Sequence, residues 1–393
     1  MEGEELMNGK TIVILGGGSG GVVVANKLRK RLGSEHRIIL VDKEDNHLYY
    51  PSLLWLIFDW RRPEQIQRNL NSLTKKGIEF LKGTVEKILT DKKAVIVDGK
   101  EIPYDYLVVS LGAGLDETPF PKSPKICDFY CLEGAKMAQD ALREFSSGKI
   151  VILISALPFK CPAAPYELAF LVDSFFKNKG IRGNVEIELY TPETLPMPTA
   201  GPKLGGKLKA MLEKRGIRFN PGHKFESVNE REIIFGDNKK AEFDLLLVVP
   251  PHKSPLVVKE SGLSNESGWI PVDAETLKAN SENVYAIGDI TTIKLSGQYE
   301  SGKPLNLPKA GVFAHYQAEV VAENIASEIT GEKPDKKFTG KGYCIIELGN
   351  NIATFAQGNF YSLPHPHVTM YPPLRIWHWA RIWFERWWLR HWF

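Results

Sequence analysis

Lys10-Thr11-Ile12-Val13-Ile14-Leu15-Gly16-Gly17-Gly18-Ser19-Gly20-Gly21 opens the chain's first ordered pattern, followed by an apolar helical period over 22–32 and a second apolar run over 37–41 that ends at Asp42. KTIVIL is a short β-branched run of the kind buried in a parallel sheet. The glycines fit G-x-G-x-x-G: Gly16 allows a tight turn, Gly18 lets backbone approach a pyrophosphate, and Gly21 lets helix pack closely on strand. Asp42 stands 21 residues beyond Gly21, where an acid at a strand end accepts hydrogen bonds from ribose hydroxyls. Strand, helix, strand and acid in register predict a βαβ unit that binds a dinucleotide, which a bare glycine triplet would not.

The chain of 393 residues is 43% apolar and 25% charged, enough for two domains with a large core and too apolar for a disordered protein. A net charge of +3 is too balanced for a general nucleic-acid binder. That excess lies entirely in 374–393, which holds four Arg and one Glu, so the rest sums to zero. The same segment holds six of the nine tryptophans. The acidic start MEGEELMNGK lacks the basic-then-apolar pattern of a secretory leader, so no signal peptide is expected, and synthesis and cofactor loading are expected in the cytoplasm. No apolar run reaches the ~18–20 residues of a spanning helix; the longest, 48–58, is broken by Pro51 and Ser52. Four cysteines without a C-x-x-C pair suggest neither a disulfide scaffold nor a zinc site, and no metal is expected.

Two later segments qualify the dinucleotide. Residues 104–112 (YDYLVVSLG) form a strand with a small-residue turn, and 283–290 (NVYAIGDI) a strand ending in Gly288-Asp289. In this order the sequence resembles the flavoproteins with two dinucleotide-binding domains, the disulfide-reductase-like superfamily. The resemblance implies an α/β fold with two Rossmann-like domains and FAD as cofactor, the Gly-Asp acid binding its ribityl chain. It also implies that a helix over 311–325, entered through Leu307-Pro308-Lys309-Ala310, points its N-terminus at the flavin. The expected FAD contacts are Gly16, Gly18, Gly21, Asp42, Gly112, Gly288, Asp289, Lys309 and Gly311. The expected FAD domain spans 10–115 and 275–330, a second Rossmann-like domain 116–274, and a small C-terminal region 331–393.

The second unit begins with the strand pattern 149–155 (KIVILIS), but no glycine loop follows. Ala156-Leu157-Pro158-Phe159-Lys160-Cys161-Pro162 instead brings bulky side chains and prolines that obstruct a pyrophosphate and remove amide donors, so NAD(P)H is not expected here. A strand at 185–190, a helix at 204–215 and a strand at 244–249 continue the unit. Two strands, 342–348 and 353–360, a Pro/His loop and the tryptophan tail end the chain.

Cys161 precedes Pro162 and the helical pattern 166–176, a setting at or next to an N-cap, where unpaired amides and the helix dipole favour a thiolate. Cys161-Pro162-Ala163-Ala164-Pro165-Tyr166-Glu167 resembles the active-site cysteine motif of sulfide:quinone oxidoreductases and flavocytochrome c sulfide dehydrogenases. By that resemblance Cys344 is the second cysteine of a redox pair. Cys131-Leu132-Glu133-Gly134-Ala135 resembles the third family cysteine, with Gly134 where relatives often carry His, so a proton-handling role there does not carry over. Cys127 has no family counterpart and reads as a partly buried thiol. The implied reaction is attack of sulfide on a Cys161–Cys344 disulfide or trisulfide, transfer of two electrons to FAD and then to quinone, and release of polysulfide. Glu167 is the candidate proton acceptor. Tyr49, Tyr50, Trp55, Phe355 and Phe360 are candidate apolar walls of a quinone channel, or ordinary core.

At 100° per residue, Ile376, Trp377, Ala380, Trp383, Phe384, Trp387 and Trp388 fall on one face of the tail, with Arg375, Glu385, Arg386 and Arg390 opposite. This pattern predicts an amphipathic helix over 374–393 lying in the membrane surface, at a peripheral position on the cell membrane. A homo-oligomer interface would use the same residues. The expected partners are sulfide, membrane quinone and the lipid surface. The competing readings are a type II NADH:quinone oxidoreductase, which needs a glycine-rich second loop, a flavocytochrome c-type sulfide dehydrogenase, which would be exported, and a non-enzymatic flavin-bearing membrane protein, which would not need a reactive Cys161.

Overall fold

The computed structural model describes residues 9–393. Most of the acidic leader on which the signal-peptide reading rests falls in 1–8, outside the described residues. Thr11–Leu15 occupies the centre of a five-stranded parallel sheet in the order Val284–Ala286, Tyr106–Val109, Thr11–Leu15, Arg37–Asp42, Glu79–Lys82. Ile12 through Leu15 are fully buried, as an unbroken apolar strand must be when both faces of its sheet are covered. The helix Ser19–Arg31 packs against one face beside the long helix Gly311–Thr330, so the segment after Gly288-Asp289 returns to the sheet that the glycine turn began.

A second five-stranded parallel sheet runs Ile126–Asp128, Leu245–Val249, Gly148–Ile154, Val185–Tyr190, Ile217–Asn220. The helix Ala164–Asn178 covers it and is itself almost wholly buried from Ala164 to Ser174. Both sheets end in loops at their strand C-termini, and these loops face one another. The C-terminal region is a three-stranded antiparallel sheet of Lys341–Glu347, Ala353–Asn359 and His367–Met370; the third strand emerges from what reads in sequence as a Pro/His loop.

The C-terminal helix, Arg375–His391, turns its faces differently from the expectation. Its protein side carries His378, Arg381, Glu385, Trp388 and Leu389, all buried, with Trp392 buried just beyond the last turn. Its open side carries Ile376, Trp379 and Trp383, at 62%, 61% and 66% exposure. Glu385, expected outward, accepts hydrogen bonds from Arg61 and Ser52, and Trp388, expected on the membrane face, donates from Nε1 to His47 at 3.2 Å. The physical reason is pairing. His378 meets Glu347 at 3.0 Å, Arg381 meets Glu167, and Glu385 meets Arg61 at 2.6 Å, so charges that hydropathy assigns to water are compensated inside the protein. Among the described residues no helix is long and apolar enough to cross a membrane.

Candidate active site

The loops at the ends of the two sheets, the C-terminal sheet and the tail helix enclose a cavity of about 1850 Å³. Gly16, Gly18, Asp42, Gly112, Gly288, Asp289, Lys309 and Gly311 all line it. Gly21 stands behind the wall, where an added Cβ would lie 1.9 Å from the Gly16 carbonyl oxygen; only glycine lets this helix start so close to its strand. At Gly18 a Cβ would meet no protein atom within 4 Å, because the backbone there borders open cavity. Asp42 is held by the amides of Gly17 at 2.5 Å and Glu44 at 2.8 Å.

These residues fit FAD. Asp289 is the decisive group: its Oδ1 is buried without a hydrogen-bond partner, and burial pushes its carboxyl up despite Lys309 and Lys160 nearby. A carboxylate that lines a nucleotide-sized cavity at the end of a strand, with one oxygen left unpartnered, has the chemistry to accept from a ligand hydroxyl. Lys309 differs from expectation in its side chain. Its Nζ donates to the carbonyls of Asp289 at 2.6 Å and Thr291 at 3.1 Å and lies 3.5 Å from the Trp269 ring centre, so it shapes the wall and offers no free ammonium.

Where a nucleotide loop would follow the strand Gly148–Ile154, the chain turns into the cavity. Cys161 adopts φ +52°, its amide donates to the Lys309 carbonyl at 2.7 Å, and Lys160 bridges to Lys309. The helix begins at Ala164, so Cys161 lies before the N-cap, and its thiol is not favoured as a thiolate. The sulfur is reachable from the cavity although protein surrounds it; burial pushes it up to about 12, Glu167 adds to the rise and Arg381 opposes it. The expected dipole effect is thus outweighed by desolvation. Cys344, on Lys341–Glu347, lines the same cavity within electrostatic reach of Cys161, and burial raises its thiol too. All four cysteines are free thiols.

Cys131 caps the helix Leu132–Glu144, accepting from the Gly134 amide at 3.3 Å, and lines the cavity; burial and Asp128 push it up to about 12. A Cβ at Gly134 would lie 2.1 Å from the Asp128 carbonyl oxygen, so the backbone here leaves no room for a larger residue. Cys127 is fully buried in the core, with Sγ 3.6 Å from the Pro124 carbonyl oxygen, and does not line the cavity.

Glu167 is buried beside Cys161 and pairs with Arg381 of the tail helix. Burial pushes its carboxyl up to about 7 against the pull of Arg381, with Glu347 adding to the rise. Among the quinone candidates, Tyr49, Tyr50 and Phe360 line the cavity. Trp55 and Phe355 do not. Trp55 is buried between the guanidinium groups of Arg61 at 4.6 Å and Arg381 at 4.9 Å, and Phe355 stacks on Trp377 with ring centres 4.9 Å apart. Both are occupied in fixing the tail helix. Trp383 and Phe384 of that helix reach the cavity instead.

Sequence reasoning missed Arg381, His378 and Glu347. The spacing 378, 381, 385 was the available signal, since it puts three ionisable residues on one helical face.

The sequence profile of the pyridine nucleotide-disulphide oxidoreductases matches residues 10–315. The chain belongs to this family. Within the pyridine nucleotide-disulphide oxidoreductases it is similar to the mitochondrial sulfide:quinone oxidoreductase of Mus musculus, 26% identical over 90% of this chain and 79% of the relative. The mitochondrial sulfide:quinone oxidoreductase of Dictyostelium discoideum is 27% identical over 88% and 76% respectively. The fold matches the crystal structure of the sulfide:quinone oxidoreductase of Aquifex aeolicus with TM-score 0.87 and 24% identity, covering 98% of this chain and 92% of that one.

Proposed function

We propose that the protein is a membrane-surface sulfide:quinone oxidoreductase that uses FAD and the Cys161–Cys344 pair. The observation that carries this reading is the turn at 156–163. A cysteine stands where a pyridine nucleotide would need glycines, tied by its amide to Lys309 at 2.7 Å beside the cofactor residues, with Cys344 lining the same cavity. In this reading 10–115 with 275–330 holds FAD, 116–274 carries Cys161, and 331–393 supplies Cys344 and the bilayer surface. Gly16, Gly18, Gly112, Gly288, Asp289 and the N-terminus of Gly311–Thr330 hold the cofactor, with Asp42 at the ribose end. Bound FAD would supply a two-electron acceptor between the sulfur pair and quinone.

Hydrosulfide attacks the Cys161–Cys344 disulfide, leaving a persulfide on one cysteine and a thiolate on the other. A second hydrosulfide takes the outer sulfur of that persulfide as HSS−, the shortest polysulfide, and leaves both cysteines reduced. Re-forming their disulfide gives up two electrons and two protons, and bound FAD would be the acceptor through which the electrons reach quinone. Glu167 accepts a proton on the sulfur side. Cys131 lines the route by which sulfur enters or leaves. Tyr49, Tyr50, Phe360, Trp383 and Phe384 form the apolar approach for quinone, and Ile376, Trp379 and Trp383 rest in the headgroup layer, with Arg386 and Arg390 facing anionic lipid.

Sulfide should bleach the bound flavin and a soluble quinone should restore its colour, whereas NADH should leave the spectrum unchanged because Pro158, Phe159 and Pro162 close the nucleotide turn. Rapid bleaching by NADH would favour a type II NADH:quinone oxidoreductase, and absence of bleaching by sulfide would end this reading. Cys127→Ser should lower the melting temperature by a few degrees, the effect of about 1–2 kcal/mol for a buried hydroxyl, with both half-reactions unchanged. A turnover loss there would mean that the wrong sulfurs have been paired.

A further inference from the structure

We propose that Arg381, carried by the C-terminal helix, is the positioning residue that keeps Glu167 ionised and fixed beside Cys161, so that the tail completes the sulfur-side reaction centre. The inference rests on the proposed function for its chemistry and on geometry for its placement. Arg381 is 7% exposed, and its Nη1 and Nη2 hydrogen bonds go to residues that line the cavity. Nη1 pairs with Glu167 and lies 3.3 Å from the Ile345 carbonyl, beside Cys344; Nη2 donates to the Pro51 carbonyl at 2.8 Å, next to Tyr50; and the group lies 4.9 Å from the Trp55 ring centre. One side chain therefore ties together the helix Ala164–Asn178, the strand Lys341–Glu347 and the segment around residue 51. Its planar fork is what makes this possible.

The charge is as specific as the geometry. A buried carboxylate without a cation takes up a proton and cannot serve as a base. The groups that face Glu167 are Arg381 from the tail helix, Glu347 and Cys344 from the strand Lys341–Glu347, and Cys161 from its loop. His378 faces Glu347 at 3.0 Å, and Tyr49 and Glu347 face Arg381. Arg381 is the cation that touches Glu167, and burial, which would lower its basicity, is overridden by the two carboxylates. In the proton step, the Cys161 S–H bond breaks, the proton passes to Glu167, and the pair becomes thiolate and carboxylic acid.

The test compares the flavin-loaded wild type with R381Q, which can still donate hydrogen bonds but is uncharged, and with R381K. The rate of Cys161 alkylation by iodoacetamide in reduced protein is followed against pH, beside the rate of flavin bleaching by sulfide. In the wild type both should rise through pH about 7 as Glu167 ionises. In R381Q the rising limb should move up by about one unit, making both reactions about fivefold slower at pH 7 with the same limit at high pH; R381K, which keeps the charge without the fork, should keep the limb near the wild-type pH. A uniform loss at every pH, or an unshifted limb, would overturn the proposal. If R381Q does not retain flavin, E167Q decides: the limb centred near pH 7 should vanish, and its persistence would overturn the proposal equally. Alkylation needs no sulfide, so a wild type whose flavin ignores sulfide ends the proposed function while the Arg381 assignment is still judged on the alkylation profile.

Discussion

Cys161→Ser and Cys344→Ser should each slow sulfide-driven flavin bleaching by at least about a thousandfold while the flavin stays bound. The cofactor residues are on other segments: the glycine turn at 16–21, Asp42 and the Gly288-Asp289 turn depend on neither sulfur. Serine preserves size at both positions, so the wall of the cavity should hold its shape. A hydroxyl, however, forms neither the disulfide that sulfide attacks nor a persulfide. Burial keeps both thiols poorly ionised in the reduced state, and the Arg381–Glu167 pair is the proposed means of moving the Cys161 proton. Stopped-flow absorbance of the flavin band measures the effect directly. Bleaching at a tenth of the wild-type rate or better in either variant would remove the cysteine pair from the mechanism.

Deleting 374–393 should do far more than release the protein from membranes: the truncated chain should lose flavin and cooperative folding. Trp388, Leu389 and Trp392 are each 2–3% exposed and belong to the core around the cofactor cavity, where Trp388 packs beside His47 and Tyr49. Their removal also leaves Glu167 buried without the Arg381 cation, Glu347 without its His378 partner, and Arg61 without Glu385. Stranding one buried charge costs ~3–5 kcal/mol, and several at once amount to the scale of a whole domain's stability, ~5–15 kcal/mol. The proposed membrane attachment should be separable from this role through the open face. The double variant Ile376→Ser/Trp379→Ser changes residues 62% and 61% exposed and should keep the flavin and the melting temperature while no longer sedimenting with liposomes. Calorimetry, flavin content and liposome sedimentation of the two proteins check the contrast. A truncated chain that keeps its flavin and melts within a few degrees of the wild type would show that the tail is only an attachment surface.

What the sequence by itself determined is local. The βαβ start at 10–42 is legible because strand, glycine turn, helix and acid are consecutive, and each obeys a backbone rule that distant residues do not alter: Gly21 admits the Gly16 carbonyl, and apolar runs such as 11–15 have no use outside a covered parallel sheet. The missing nucleotide loop at 156–163 is legible for the same reason, since Pro158 and Pro162 cannot donate amides in any fold. Tertiary structure decided everything that depended on a partner far along the chain. Hydropathy read Glu385 and Trp388 by their own solvation and placed these two outside the protein, because the energy of a buried charge is set by its counterion, and Arg61, Glu347 and Glu167 lie in other elements. Cys161 likewise reads as a helix-end thiolate until the cavity wall is in place. Then desolvation, a property of everything packed around the sulfur, outweighs a dipole that the local sequence could supply.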